Sequence, residues 1–154
     1  MKIAVFGRNK QFIERELKNH NLQLDRKNPN LVIVFGGDGT LLLAERIYPE
    51  VPKIFLRHSS LCNDCKNHDF SKILIQIKNR EYKMKSEAKL IATVKNKKLI
   101  ALNEISVHYN PPYALRFSVY INNKLIEPLV IGDGIVIATP YGRSAYFQSI
   151  TNKN

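Results

Sequence analysis

The sequence predicts an α/β first half with a parallel sheet and a mostly antiparallel, all-β second half. Short apolar runs at residues 3–6, 31–35 and 54–56 alternate with segments of helical spacing, as in parallel strands joined by crossover helices. Further along the chain, short β-rich runs separated by polar turns replace that alternation. We therefore predict two domains, residues 1–84 and 85–154.

In the first half, helix-forming segments separate the apolar runs. Residues 9–19 carry apolar side chains at helical spacing, and Asn9 stands where an N-cap is expected. The second apolar run leads into the segment GGDGT at residues 36–40, which good helix formers follow at 41–47. This order predicts a Rossmann-like sheet with right-handed crossovers and a site beyond the carboxyl ends of its strands.

The GGDGT segment is the candidate phosphate site. Gly36, Gly37 and Gly39 allow the backbone to approach a ligand closely and to adopt positive φ angles. Amides of such a turn, and of the first helical turn after it, can bind phosphate oxygens. Asp38 would repel a phosphate unless it holds Mg²⁺ or takes a proton. The simpler role for this carboxylate is to cap the helix or close the turn.

The sequence pattern of the second half predicts β-hairpins. Polar turns are expected at residues 95–98 and 122–124, and a Gly-Asp-Gly turn at 132–134. The chain can become helical after Gly142. The strands that these turns join are predicted at residues 89–94, 99–108, 117–121, 125–131 and 135–138.

The amino-acid composition limits the classes of partner that the protein can have. The 154 residues include 24 Lys and Arg against 13 Asp and Glu, a net charge of +11. Such a surface attracts polyanions, or is simply a solvated basic surface. No apolar run approaches the roughly 20 residues of a membrane span, and the start lacks a signal-peptide pattern, so we predict a cytoplasmic protein without membrane contact. No nucleic-acid-binding motif is recognised, so no nucleic-acid partner is predicted.

A compact group of soft metal ligands follows the third apolar run of the first half. His58, Cys62, Cys65 and His68 surround a central CxxC and could bind a zinc ion. An isolated CxxC is a weak signal, however. The other interpretation is a surface loop with a free or redox-active pair of thiols.

Three stretches, in order along the chain, resemble the NAD kinase family. They are GGDGT at residues 36–40, Asn-Glu at 103–104, and Asp-Gly at 133–134 followed by TPYGRSAY at 139–146. The family pattern is GGDGT, then NE on a strand, then DG and TPTGSTAY. Diacylglycerol and sphingosine kinases share GGDGT, so the two later stretches make the resemblance specific. It extends from residue 3 to about residue 149.

The resemblance implies transfer of the γ-phosphoryl group of ATP, or of another phosphoryl donor, to the 2′-hydroxyl of NAD, with NADP as product. Mg²⁺ would bridge donor phosphates held by the GGDGT amides, with Thr40 closing that segment. Asp38 would act as general base or orienting group, while positioning and charge neutralisation supply most of the rate.

The resemblance also implies an acceptor site in the second half. Asn103 and Glu104 would bind the acceptor nucleotide, Asp133 would accept hydrogen bonds, and Tyr146 could lie against a ring of the dinucleotide. Without the family pattern, Asn103 and Glu104 are equally well interpreted as a hydrogen-bonded pair at a strand end. Tyr146 is then interpreted as a core or interface aromatic residue. Three smaller residues complete the implied set: Ser144, Ala145 and Ser149.

The chain departs from the family pattern at several points. Tyr141 and Arg143 replace small hydroxyl residues, and Arg143 could clamp a phosphate. Leu43 stands where many members carry Arg, and residues 56–70 lack the family's glycine-rich segment. A non-catalytic nucleotide-binding relative, or a kinase acting on a lipid or sugar hydroxyl, therefore stays open as an alternative.

The carboxyl end carries a further expectation. Family members continue with more β-structure after the AY pair, so the second domain is expected to be incomplete there. Open sheet edges pair readily with other chains. We therefore predict a homodimer or homotetramer formed through the second half.

Overall fold

The computed structural model describes residues 1–58 and 68–151. The chain divides into two compact units, Met1–Lys85 and Ser86–Asn154. Within these described ranges, no helix is both long enough and apolar enough to cross a membrane.

The first unit is built on a four-stranded sheet in which every neighbouring pair is parallel, in the order β2-β1-β3-β4. This arrangement, with helices between the strands, confirms the predicted α/β fold with a parallel sheet. The two-residue strand β2 and the helix α3 were not predicted. The elements are β1 (Lys2–Gly7), α1 (Lys10–Asn19), β2 (Gln23–Leu24), β3 (Leu31–Gly36), α2 (Asp38–Ile47), β4 (Lys53–Arg57) and α3 (Phe70–Asn79).

The core of this unit lies on both faces of the central strand β3, all of whose residues are buried. Leu31, Ile33 and Phe35 belong to one cluster with buried side chains of α1 and α3. Val32 and Val34 alternate with them and point to the opposite face, where α2 contacts β3. Each fully buried aliphatic side chain stabilises the unit by about 1.5–3 kcal/mol.

The helix starts differ from the prediction in detail. Asn9 precedes α1, but its side chain makes no capping hydrogen bond because the residue adopts the left-handed conformation, with φ of 51°. Its backbone carbonyl instead accepts the N–H of Phe12 at 3.1 Å. α2 begins at Asp38 rather than at residue 41, so most of GGDGT forms the first helical turn and not a separate loop.

The second unit consists of three antiparallel strand pairs, β5–β6, β8–β9 and β7–β10, which confirms the predicted antiparallel character. A short 3₁₀ turn at Gly142–Ser144 and one helix follow the last strand. The elements are β5 (Leu90–Val94), β6 (Lys97–Ala101), β7 (Glu104–His108), β8 (Leu115–Ile121), β9 (Lys124–Gly132), β10 (Gly134–Ala138) and α4 (Tyr146–Thr151).

Two hairpin predictions need correction. The first turn is shorter than the predicted 95–98, because β6 begins at Lys97 and only two residues connect the strands. The predicted strand 99–108 is two strands, of which β6 pairs with β5 while β7 pairs with β10. The break falls at Leu102 and Asn103, whose carbonyl oxygens accept hydrogen bonds from Thr139 instead of continuing a ladder.

Candidate functional site

A cavity opens at the carboxyl ends of β1 and β3 in the first unit. From β1 the chain passes through α1 to β2 on one side, and from β3 it passes through α2 to β4 on the other side. Such a reversal of strand order is where open α/β sheets bind ligands. The cavity measures about 460 Å³ and is lined by Val5, Phe6, Gly7, Arg8, Lys10, Gly39, Thr40 and Leu43.

Two glycines at these strand ends are required by the backbone. Gly7 has φ of 124°, and a Cβ there would overlap the carbonyl oxygen of Phe35. Gly36 has φ of 155°, and a Cβ there would collide with the side chain of Thr40. Of the three GGDGT glycines, only Gly36 therefore adopts the positive φ expected from the sequence. A Cβ on Gly37 would meet no atom of the described residues within 4 Å, and the same holds for Gly39.

Asp38 is the first residue of α2, with Gly37 as the N-cap in extended conformation. The carbonyl of Gly37 accepts the N–H groups of Thr40 at 2.9 Å and of Leu41 at 3.2 Å. Asp38 is therefore not the helix cap that the simpler interpretation suggested. Its carboxylate is half-exposed at the positive end of the helix dipole, where a negative charge is favoured.

Arg57 is the ion-pair partner of this carboxylate, and sequence reasoning missed it. Its Nη2 lies 2.5 Å from Oδ1 of Asp38. Arg57 ends β4 and is the register partner of Gly36 on β3. The guanidinium also lies over the ring of Phe55, 5.5 Å from its centroid. The signal in the sequence was a basic residue directly after the third apolar run.

Arg8 and Lys10 are the basic residues that line the cavity, and they too were missed. They follow the strand-end Gly7, where α1 begins. Their charges give the cavity a positive potential that favours anionic ligands. A basic residue directly after a strand-end glycine was the signal that could have identified them.

The predicted zinc ligands are placed only in part. His58 stacks on Phe35 with ring centroids 4.7 Å apart, and His68 meets the same ring edge-on at 6.4 Å. Nε2 of His68 donates to the carbonyl oxygen of Arg57 at 2.9 Å. Cys62 and Cys65 lie outside the described residues. Within the described ranges, no group of three or more His, Cys, Asp or Glu residues could hold a metal ion.

In the second unit, the turn after β10 packs on the backbone of Asn103. Thr139 donates its N–H to the carbonyl of Asn103 at 2.8 Å and its hydroxyl to the carbonyl of Leu102 at 2.6 Å. The same hydroxyl accepts the N–H of Gly142 at 2.9 Å. A Cβ on Gly142 would overlap the backbone of Asn103. Thr139 and Gly142 were not among the predicted site residues, although the family-like motif contains both.

Next to this turn are two buried oxygens for which the described part of the chain provides no hydrogen-bond partner. Oδ1 of Asn103 and Oε2 of Glu104 have no hydrogen-bond partner among the described residues, and Asn103 is only 7% exposed. Leaving a buried polar atom unsatisfied costs about 1–3 kcal/mol, so native proteins rarely do it without a reason. Both oxygens are hydrogen-bond acceptors, so each can accept from a donor group.

Asp133 and Tyr146 come together in a second cavity of about 480 Å³. Asp133 is exposed between β9 and β10, and its carbonyl accepts the N–H of Tyr109 at 3.1 Å. Tyr146 begins α4 and is 53% exposed. Asn103 and Glu104 do not line this cavity. Its lining residues are Ser106, Val107, His108, Pro112, Asp133, Gly134, Ile135, Val136, Tyr146 and Ile150.

The three smaller predicted residues lie around the start of α4. Ser144 is exposed within the 3₁₀ turn, and Ala145 ends that turn with its N–H bonded to the carbonyl of Gly142 at 2.9 Å. The hydroxyl of Ser149 donates to the carbonyl of Tyr146 at 2.7 Å. These contacts are local to the turn and helix.

The chain is similar to curated proteins that are named NAD kinase. No protein-family model matches it. An NAD kinase from Sulfurisphaera tokodaii is 32% identical over 159 aligned positions, which cover 98% of this chain and 63% of that relative. An NAD kinase from Lactobacillus gasseri is 29% identical over 149 positions, covering 90% of this chain and 55% of the relative. The chain thus spans little more than half the length of these curated relatives.

Solved structures show the same likeness at the level of the fold. An NAD kinase from Archaeoglobus fulgidus in complex with ATP superposes with a TM-score of 0.78 at 18% identity, over 98% of this chain and 66% of that structure. Yeast NADH kinase complexed with NADH superposes with a TM-score of 0.74 at 15% identity, over 98% of this chain and 61% of that structure. The similarity to the curated NAD kinases confirms the resemblance inferred from GGDGT, NE and the TP-G--AY stretch. The solved structures show that the chain shares their fold.

Proposed function

We propose that the chain carries out NAD kinase-type phosphoryl transfer, moving the γ-phosphoryl group of ATP, or of another phosphoryl donor, to the 2′-hydroxyl of NAD to form NADP. The observation that carries the proposal is the position of Asp38. This half-exposed carboxylate starts α2 at the point where the strand order reverses, next to a basic cavity. In this proposal the two halves are the domains 1–84 and 85–154, with the first binding donor phosphates and the second the acceptor nucleotide.

Donor phosphates would bind at the GGDGT segment. The first helical turn presents N–H groups that lack intrahelical partners, and phosphate oxygens accept from such groups. The open space around Gly37 and Gly39 supports this role, because no packing contact demands glycine there. Arg8 and Lys10 would add the positive charge that a triphosphate requires.

Mg²⁺ fits this arrangement as a companion of the donor. In nucleotide sites, Mg²⁺ is usually held by one or two carboxylates together with substrate phosphates and water. Asp38 is a carboxylate at the phosphate segment that could serve in this way. The ion would neutralise charge on the transferring group.

The acceptor nucleotide would bind around Asn103. Ribose hydroxyls or an adenine amine would donate to the unpaired oxygens of Asn103 and Glu104, which removes the cost of burying them. The cavity that contains Asp133 and Tyr146 would accommodate a further part of the dinucleotide, with the tyrosine ring against one of its rings. Ser144, Ala145 and Ser149 stay in the proposed set as its flanking residues.

The reaction then needs little covalent chemistry from the protein. The 2′-hydroxyl oxygen bonds to the γ-phosphorus, the bond from that phosphorus to the β,γ-bridging oxygen breaks, and ADP leaves. Asp38 takes the hydroxyl proton or orients the hydroxyl for attack. The remaining residues hold the reactants in place, which is the larger contribution in phosphoryl transfer.

The test is incubation of the chain with ATP, Mg²⁺ and NAD, with NADP measured by a dehydrogenase specific for it. Asp38→Asn should reduce NADP formation by at least about 100-fold, because general-base contributions reach that size. Asp25→Asn is the matched control, because Asp25 accepts hydrogen bonds from the N–H groups of Lys27 and Asn28, away from the GGDGT segment. Measured at a temperature where this variant is fully folded, its turnover should equal that of the wild type. Undiminished turnover in the Asp38 variant would refute the assigned role.

Binding of NAD without phosphoryl transfer is the second candidate function. The contact between Asp38 and Arg57 favours it, because a carboxylate held in an ion pair is less available to a substrate hydroxyl. A thermal shift with NAD, combined with no NADP after prolonged incubation, would identify this case.

We also propose self-association through the second unit, as a homodimer or homotetramer in the cytoplasm. Its hairpins expose large apolar side chains, and contiguous apolar surface commonly marks an interaction site. Light scattering that gives the mass of one well-folded chain would contradict this assembly. The most exposed of these side chains include Ile91 at 59%, Val94 at 65%, Leu99 at 59%, Ile100 at 60%, Tyr120 at 62% and Ile131 at 63%.

A further inference from the structure

We propose that Arg57 is an additional phosphate-binding residue of the candidate site, and that Asp38 holds its guanidinium until a polyphosphate group competes for it. The inference rests on the proposed function only in taking the GGDGT segment as the place where phosphates bind. It assigns a ligand to a side chain that lies outside the predicted motifs.

The position of Arg57 in the sheet supports this role. It is the last residue of β4, in register with Gly36, so its backbone lies beside the strand end that leads into α2. Its side chain reaches the carboxylate of Asp38, 19 residues earlier in the chain. A phosphate bound to the first-turn amides of α2 would therefore lie next to this guanidinium.

The ion pair is suited to being displaced. Both side chains are about half exposed, at 52% for Arg57 and 49% for Asp38. Water screens such pairs strongly, so they contribute little to stability. Phosphate oxygens form bidentate, charge-assisted hydrogen bonds with a guanidinium, and a polyphosphate carries more negative charge than one carboxylate.

The ring of Phe55 keeps the guanidinium in place during this exchange. The 5.5 Å separation between Cζ of Arg57 and the ring centroid is within the range of a cation–π contact. Arg57 thus keeps one partner on its own strand while its charged partner changes. Release from Arg57 would leave the carboxylate of Asp38 free for the acceptor hydroxyl or for Mg²⁺.

Calorimetric titration with inorganic tripolyphosphate, without metal, tests the competition. We expect Arg57→Met to weaken binding by about tenfold, since a charge-assisted hydrogen bond is lost. Asp38→Asn should tighten tripolyphosphate binding several-fold in the chain that retains Arg57. In the double variant with Arg57→Met, the same change should tighten binding clearly less. That difference between backgrounds is the coupling expected of two groups competing for one guanidinium.

Arg26→Met is the matched control. Arg26 is 57% exposed and, like Arg57, pairs with a carboxylate, but that carboxylate belongs to Glu14 of α1 and not to the GGDGT segment. Its loss should leave tripolyphosphate affinity unchanged. Arg57→Lys should restore part of the affinity by keeping the charge without the bidentate fork. Thermal unfolding of each variant checks that the fold is retained.

Several outcomes would overturn the inference. One is wild-type affinity in Arg57→Met, and another is equal tightening by Asp38→Asn in both backgrounds, which indicates simple charge repulsion. A wild-type chain that does not bind tripolyphosphate would also overturn it, while NADP formation would still decide the proposed function separately. Parallel titrations with ATP and with NAD show which polyphosphate Arg57 contacts, and unchanged affinity of Arg57→Met for both rejects the assignment.

Discussion

Replacing Thr139 by valine removes one hydroxyl that joins three segments of the second unit. Thr139 is 4% exposed, and its hydroxyl donates to the carbonyl of Leu102 while accepting the N–H of Gly142. Valine keeps the shape of the side chain and leaves the backbone N–H of residue 139 free to bond to the carbonyl of Asn103. The carbonyl oxygen of Leu102 and the N–H of Gly142 then lose their partner and lie next to a methyl group.

The expected cost follows from these two groups. Each unsatisfied buried polar group destabilises by about 1–3 kcal/mol, so the variant should lose about 2–6 kcal/mol of unfolding free energy. Partial access of water to the turn would keep the loss at the lower end of that range. Because the turn supports Asn103, affinity for NAD should also fall.

Urea unfolding followed by circular dichroism measures this change, with NAD affinity measured on the folded variant. Thr139→Ser is the control, because it retains the hydroxyl and should cost less than about 1.5 kcal/mol, the loss of one buried methyl group. A valine variant within about 0.5 kcal/mol of the wild type would refute the reasoning, since it would show that the hydroxyl bonds are not needed to satisfy the turn.

Three further changes test the first unit. Gly7→Ala should lower the free energy of unfolding in urea by about 3 kcal/mol or more, because Gly7 has φ of 124° and the added methyl overlaps the carbonyl of Phe35. A change below about 1 kcal/mol would contradict the described backbone. Leu74→Ala removes a side chain with no exposure from the core and should cost about 2–5 kcal/mol by the same measurement. The pKa of Asp25 is lowered, chiefly by the N–H of Asn28 and then by Lys2. Its contribution to stability is therefore present above the unfolded pKa of about 3.9 and is lost as pH falls through the lower folded value. Asp25→Asn should weaken the fold at neutral pH and make less difference in acid, and a variant whose deficit persists unchanged at low pH would contradict this.

The sequence predicts the central fold elements well because their signals are local. The continuous apolar run of β3 can be buried on both faces only in a covered parallel sheet, and the structure buries all of it. α3 was missed although its signals were present, with Asp69 accepting the N–H of Lys72 as an N-cap ahead of the buried Leu74 and Ile77. A short apolar helix next to a polar loop is easily read as part of that loop.

The boundaries between elements were less predictable because distant contacts set them. The single run predicted at 99–108 divides where Thr139 bonds to the backbone of Leu102 and Asn103. A hydrogen bond between groups 37 residues apart competes with the local β-propensity and takes precedence over it.

The candidate site shows the same division between local and distant information. The sequence by itself determined the chemical groups, because GGDGT, the NE pair and the TP-G--AY stretch each lie in one contiguous segment. Only the tertiary structure decided which groups meet. Arg57 reaches Asp38 because parallel pairing aligns β4 with β3. Asn103 is buried because the turn at Thr139 and Gly142 folds back over its backbone, and no described residue pairs with its side-chain oxygen. Register and close approach depend on the packing of whole strands, and no local pattern of side chains specifies them.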